Sequence, residues 1–174
     1  MRIDRGIVLA AGASKRLGSH KALIEVEGQT LVQLVCSKLQ SAGLSVTVVT
    51  RNSLKQKIEN LLPNVSTVVN PNPELGRTGT IQRGIESIGT GPLLIIPVDR
   101  PGFSLETINL LCKTNTTTIP TYEQKGGHPI AITSQDCENI MQAEPDIPLR
   151  ELISPERMHV EAVSYTHLTL PTKA

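Results

Sequence analysis

Short runs of aliphatic and β-branched residues at 6–9, 45–50, 65–69 and 93–96 alternate with segments of helical spacing, and this alternation constrains the fold most. Leu93-Leu94-Ile95-Ile96 has no polar position at all. Such a run suits a strand covered on both faces, as in a parallel sheet. Between the strands, Leu31, Leu34, Val35 and Leu39 give a helix over 30–41, which Gly43 stops. Residues 53–62 read as a second helix ended by Pro63, and 80–88 as a third with Ile81, Ile85 and Ile88 on one side. Ser104 can cap a helix running to about residue 113, and Ser134 can cap another. Short strands at 117–120 and 129–133 flank a Gly-Gly loop, 148–153 is a short helix and 159–162 a last strand. The order predicts an α/β fold, a doubly wound and mostly parallel sheet with helices on both faces. Ligands of such sheets bind beyond the carboxyl ends of the strands. The loops at Gly12 and Asp99 both follow such ends and are predicted to share one edge.

Composition narrows the partners. The 174 residues suit one domain, taken as residues 1–162, with no internal repeat or linker. A net charge of +1 provides no bulk attraction to nucleic acid or membrane. Aromatic residues are 2% of the chain, too few for a base-stacking platform, so no nucleic-acid partner is expected. Cys36, Cys112 and Cys137 form no C-x-x-C pair and fit reduced thiols. No apolar run approaches a membrane span and no signal peptide opens the chain, so a cytoplasmic location is expected.

The loop after the first strand carries the chemistry. Leu9-Ala10-Ala11-Gly12-Ala13-Ser14 is built of small residues that let a ligand approach the backbone, and Arg16 and Lys21 follow within the same loop. Backbone amides with fixed positive charge suit a polyphosphate. A P-loop is excluded, because Gly18 is followed by Ser19 and His20 instead of Lys-Ser/Thr. A dinucleotide fingerprint is excluded as well, because Gly12 and Gly18 have no glycine at the middle position. The stretch resembles the Leu-Ala-Ala-Gly-x-Ser-x-Arg-Met-Gly-x-x-Lys motif of the MobA-like and MocA-like nucleotidyltransferases, with Leu17 in place of Met.

That resemblance implies a fold of the nucleotide-diphospho-sugar transferase type, a variant of the Rossmann theme. It also implies transfer of a nucleoside monophosphate from a triphosphate to a phosphorylated acceptor, with release of pyrophosphate. Leu9 to Ser14 would cradle the triphosphate, Arg16 would contact its β/γ side and Lys21 its α-phosphate. Asp99, in Pro97-Val98-Asp99-Arg100-Pro101, resembles the family's Asp-x-Pro motif and would hold Mg2+, which takes few carboxylates plus substrate phosphates. Read alone, it is equally an acid in a turn beside Arg100.

The block 70–84 resembles the region of base and ribose contacts, with Asn70 and Thr80 as candidates. The same residues are also ordinary turn chemistry before a helix cap. Gly127-His128-Pro129 resembles the family's acceptor loop, in which His128 would meet the acceptor's phosphate; its spacing equally describes a hairpin turn. His20 reads as a solvated loop residue.

Molybdopterin is the acceptor if the resemblance extends to substrate, and the nucleotide is CTP or GTP. A sugar- or polyol-phosphate nucleotidylyltransferase shares the same loop logic, and a nucleotide-binding module without turnover is the reading from another class. Residues 163–174 resemble a translated sequencing adapter, a non-native tail standing where the family continues into an Asp-x-Asp-Thr-Pro-x-Asp segment.

Overall fold

The computed structural model describes residues 1–13 and 20–161. Its elements run β1 (Arg5–Ala10), β2 (Glu25–Val26), β3 (Gln29–Thr30), α1 (Leu31–Ser41), β4 (Ser45–Thr50), α2 (Lys55–Leu61), β5 (Ser66–Val69), α3 (Arg77–Ile88) and β6 (Leu93–Pro97). There follow α4 (Leu105–Leu111), β7 (Thr118–Tyr122), β8 (Lys125–Gly126), β9 (Ile130–Ile132), α5 (Ser134–Gln142), α6 (Leu149–Leu152) and β10 (Glu156–His159). Single 3-10 turns stand at Lys21–Leu23, Asn52–Leu54 and Pro73–Leu75. Ser14, Arg16 and the tail 163–174 lie outside the described residues.

The main sheet has the order β10-β7-β9-β6-β1-β4-β5, with β8 added to β7. β1 pairs in parallel with both β4 and β6, and β4 in parallel with β5. β9 runs antiparallel between β6 and β7. Each strand of the centre serves two cores, because successive side chains point to opposite faces. Val8, Ala10, Val48, Leu94 and Ile96 meet α1, α2 and α4 on one face. Ile7, Leu9, Leu93, Ile95 and Ile132 meet α3 and α5 on the other. Full burial of each such aliphatic side chain contributes about 1.5–3 kcal/mol, which is why the runs without polar alternation sit in the middle of the sheet.

Several boundaries differ from the sequence reading. α3 begins at Arg77, three residues before the expected start, because Gly76 at φ 140° turns the chain into the helix. The cap of α5 is Thr133, whose hydroxyl accepts from the Asp136 amide, so Ser134 is already helical. The helix expected from residue 53 opens as a 3-10 turn and becomes regular at Lys55. The last strand is β10 at Glu156–His159, not 159–162; among the described residues it pairs only with β7, and its mostly exposed residues carry no apolar signal. Among the described residues no helix is long and apolar enough to cross a membrane.

Candidate active site

The register brings five chain segments to one edge of the sheet. Ala10 lies beside Thr50, Leu9 beside Pro97, and Thr50 beside Val69, so β1, β4, β5 and β6 all end there. β9 runs the opposite way, with Ile130 paired to Ile95, and therefore begins at that same edge. This reversal delivers His128 to the loop that carries Asp99.

The exit of β1 is tied down on both sides. The Val98 amide donates to the Leu9 carbonyl at 2.9 Å. The Thr50 hydroxyl donates to the Ala10 carbonyl and the Arg51 guanidinium to the Ala11 carbonyl, each at 3.2 Å. Ala10 and Ala11 are buried, whereas Gly12 and Ala13 are exposed. Among the described residues a Cβ added at Gly12 would meet nothing within 4 Å.

A cavity of about 300 Å3 lies over this exit, a size common for small-molecule sites. Leu9 to Ala13, His20, Lys21, Arg77, Thr80 and Asp99 contribute to its wall. The Lys21 ammonium donates to the Asp99 carboxylate at 3.0 Å, although 78 residues separate them. Burial pushes the Asp99 carboxyl up, but Lys21, Arg100 and Arg77 outweigh it and hold the group below its ordinary range. It is a carboxylate at neutral pH, and its side chain is 25% exposed, so it can reach a ligand in the cavity.

The other expected residues divide. Thr80 is on the cavity wall, in the first turns of α3. Asn70 is buried behind it: its amide donates to the Thr80 hydroxyl at 3.0 Å and its carbonyl oxygen accepts from the Asn72 amide at 3.0 Å. Asn70 therefore orients Thr80 and does not itself line the cavity. His128 lines a second, adjoining cavity of about 310 Å3. Gly127 stands next to it, its amide donating to the Pro120 carbonyl at 2.9 Å. Burial lowers the His128 pKa to about 4, helped by Arg77 and Arg100 and opposed by Asp99, so its imidazole is neutral at pH 7.

His20 and Arg77, two polar residues of the first cavity, escaped the sequence reading, as did Arg150 of the second. His20, expected in solvent, is half-buried on the cavity wall, and its Nδ1 has no hydrogen-bond partner among the described residues. Arg77 lines both cavities; its only sequence signal was its place directly after Gly76 in the 70–84 block. The cysteines take no part in either wall; burial pushes the Cys36 thiol up to about 12, which leaves it inert. Among the described residues no group of three or more His, Cys, Asp or Glu side chains is placed to hold a metal by itself.

Known proteins share both sequence and architecture with this chain. It is 31% identical over 111 residues to a probable molybdenum cofactor guanylyltransferase of Bacillus mycoides, the match covering 61% of this chain and 54% of that protein. The chain thus spans about half the length of the curated relatives it matches. A structure of the Rv0371c homologue from Mycobacterium sp. strain JC1 superposes with a TM-score of 0.78 at 19% identity, over 92% of this chain and 88% of that one. Rv0371c of Mycobacterium tuberculosis, solved in complex with manganese, gives 0.75 at 15% identity, over 92% and 89%. These superpositions establish the shared fold. Residues 6–162 match the MobA-like NTP transferase domain, and the chain belongs to that family.

Proposed function

We propose that the chain transfers a nucleoside monophosphate from CTP or GTP to a phosphorylated acceptor of the molybdopterin kind, with release of pyrophosphate. The observation that carries this reading is the meeting of Lys21 and Asp99 at 3.0 Å on the wall of the cavity that Gly12 also lines. An ammonium, a carboxylate that can take a cation, and exposed backbone at one point are complementary to a triphosphate with its metal ion. The name of the Bacillus mycoides relative supports guanylyl transfer and a molybdenum cofactor acceptor.

In this reading the backbone of Leu9, Ala10, Ala11, Gly12, Ala13 and Ser14 cradles the phosphates. Lys21 neutralises the α-phosphate, where negative charge builds as the bond breaks. Arg16 takes the β/γ side that departs as pyrophosphate. Thr80, steadied by Asn70, faces the nucleoside. Gly127 and His128 border the acceptor. An oxygen of the acceptor's phosphate forms the new bond to the α-phosphorus while the bond to the bridging oxygen breaks, and pyrophosphate leaves with the electron pair. A phosphate monoester has a second pKa of about 6, so at neutral pH the nucleophile needs no base. A neutral His128 suits this, since it can donate a hydrogen bond without having to take a proton.

A single carboxylate at the wall fits Mg2+, which draws most of its ligands from phosphates and water. Asp99 would hold it, and the ion would supply positive charge on the phosphate oxygens. The manganese complex of the Mycobacterium tuberculosis protein supports a divalent ion in this fold. We assign the catalytic domain to residues 1–162, exclude 163–174 from it, and place the chain in the cytoplasm, which its three free cysteines support.

The test is thermal stability with each of the four triphosphates, with and without Mg2+. One triphosphate at a hundred times its Kd stabilises by about 2.7 kcal/mol, and the shift disappears with a chelator. Pyrophosphate release on adding molybdopterin then separates turnover from binding alone. No stabilisation by any triphosphate overturns the reading.

A further inference from the structure

The second cavity combines apolar and cationic residues. Leu9, Ile95, Ile130 and Leu149 give its lining an apolar part, and Arg77 and Arg150 a cationic one beside His128. Among the described residues neither guanidinium is in an ion pair. Such a pocket suits a ligand with a flat or apolar body and one strongly anionic group. Guanidinium is the cation best matched to that group, because its planar fork meets two oxygens of a phosphate at once.

The two arginines come from distant parts of the chain but from one rigid unit. The Gly79 amide donates to the Pro145 carbonyl at 3.2 Å, and the Thr78 hydroxyl to the Ile147 carbonyl at 2.5 Å. The Gln82 amide donates to the Ala143 and Ile140 carbonyls at 2.7 and 2.8 Å. These bonds fasten the segment 143–147 along α3, and Arg150 follows a few residues later. A Cβ at Gly76 would stand 2.7 Å from the Pro145 carbonyl oxygen, so the close approach depends on that glycine. Arg77, the first residue of α3, sits where this clamp begins and faces both cavities.

We infer that Arg77 is a specificity-determining residue shared by two ligands: with Arg150 it binds the acceptor's phosphate, and on its other side it faces the phosphates of the nucleotide. The inference rests on the nucleotide reading of the first cavity. Two anions must approach each other for transfer, and one guanidinium between them offsets their repulsion. The acceptor class is a phosphate monoester on an apolar or aromatic body, and uncharged alcohols are excluded.

The probe is phenyl phosphate, with benzyl alcohol as the uncharged control, titrated into the full chain by calorimetry. Phenyl phosphate is expected to bind and benzyl alcohol not to. Arg77→Gln and Arg150→Gln should each weaken phenyl phosphate about ten-fold or more, the loss of a charge-assisted bond. Arg77→Lys should recover only part of that affinity, which a merely structural defect would not produce. In Arg77→Gln the presence of phenyl phosphate should also weaken binding of the stabilising triphosphate, an antagonism absent from the wild type. Phenyl phosphate binding unchanged in Arg77→Gln, with triphosphate binding intact, overturns the shared role alone. Equal binding of benzyl alcohol overturns the acceptor class. Absence of triphosphate binding in the wild type overturns the nucleotide reading and the shared role together.

Discussion

At the scale of single residues the site is an arrangement of charge. Asp99 is kept ionised by three cations, and Lys21 is the one that touches it. Lys21→Ala and Asp99→Asn are each expected to reduce turnover about 100-fold or more, the usual cost of removing one group that meets transition-state charge. Both side chains are partly exposed, so folding survives, and circular dichroism melts should show it. His128 gives a prediction in pH. Its folded pKa of about 4 lies below the ordinary 6.5. Between those values the unfolded chain takes up a proton that the folded chain refuses, so stability falls as pH drops from 6.5 towards 4. His128→Gln should flatten that part of the plot of Tm against pH. Arg77→Gln should raise the His128 pKa, read from its imidazole proton resonance, because Arg77 helps to depress it. That the loops carrying Lys21 and Asp99 share one edge was legible in the sequence, since both follow the ends of apolar strands, and the two side chains do meet there. Arg77 was not, because nothing in a lone arginine after a glycine says which cavity it will face.

At the scale of elements, α3 carries Arg77 and Thr80 and is held by contact on two sides. Its underside meets β1 and β4 at Gly84, where an added Cβ would come within 2.8 Å of Ile7 and 3.0 Å of Val49. Ile7 and Val49 are fully buried and have nowhere to go. Gly84→Ala should therefore destabilise the fold by about 1–3 kcal/mol of overpacking, reduced by up to about 1 kcal/mol of helix propensity. Urea denaturation measures the net loss, and triphosphate affinity should fall with it, because lifting α3 moves Thr80 and Arg77. The helix itself was legible from Ile81, Ile85 and Ile88, but its start was not. The first turn lacks an apolar residue, and its place is fixed by tertiary contacts with the segment 143–147, which periodicity cannot report. α1 shows the opposite case: Thr30 and Gln33 form a reciprocal cap, and its expected and observed spans agree closely.

At the scale of the whole molecule the sheet grades from a buried centre to a thin edge. β1, β4 and β6 are paired on both sides, whereas β10, among the described residues, bonds only to β7 and is largely exposed. Amide hydrogen exchange should be slowest in β1, β4 and β6, near the global unfolding limit, and faster by orders of magnitude in β10. The same gradient explains what could be read in advance. Central strands announce themselves by unbroken apolar runs, while β10 offers no such run and was displaced by three residues in the reading. The antiparallel direction of β9 was equally hidden, since alternation reveals a strand without revealing its partner. Yet that direction has the widest reach. β7 ends and β9 begins at the same edge of the sheet where β1 and β6 end, so the stretch 123–129 departs from and returns to one rim, exposed at Glu123 to Gly126 and buried again by Pro129. Its exposed tip can change in length and sequence while the pairing of β1 with β4 and β6 stays untouched. A loop that hangs from one rim in this way lets evolution vary the chemistry of that rim while leaving the sheet beneath it intact.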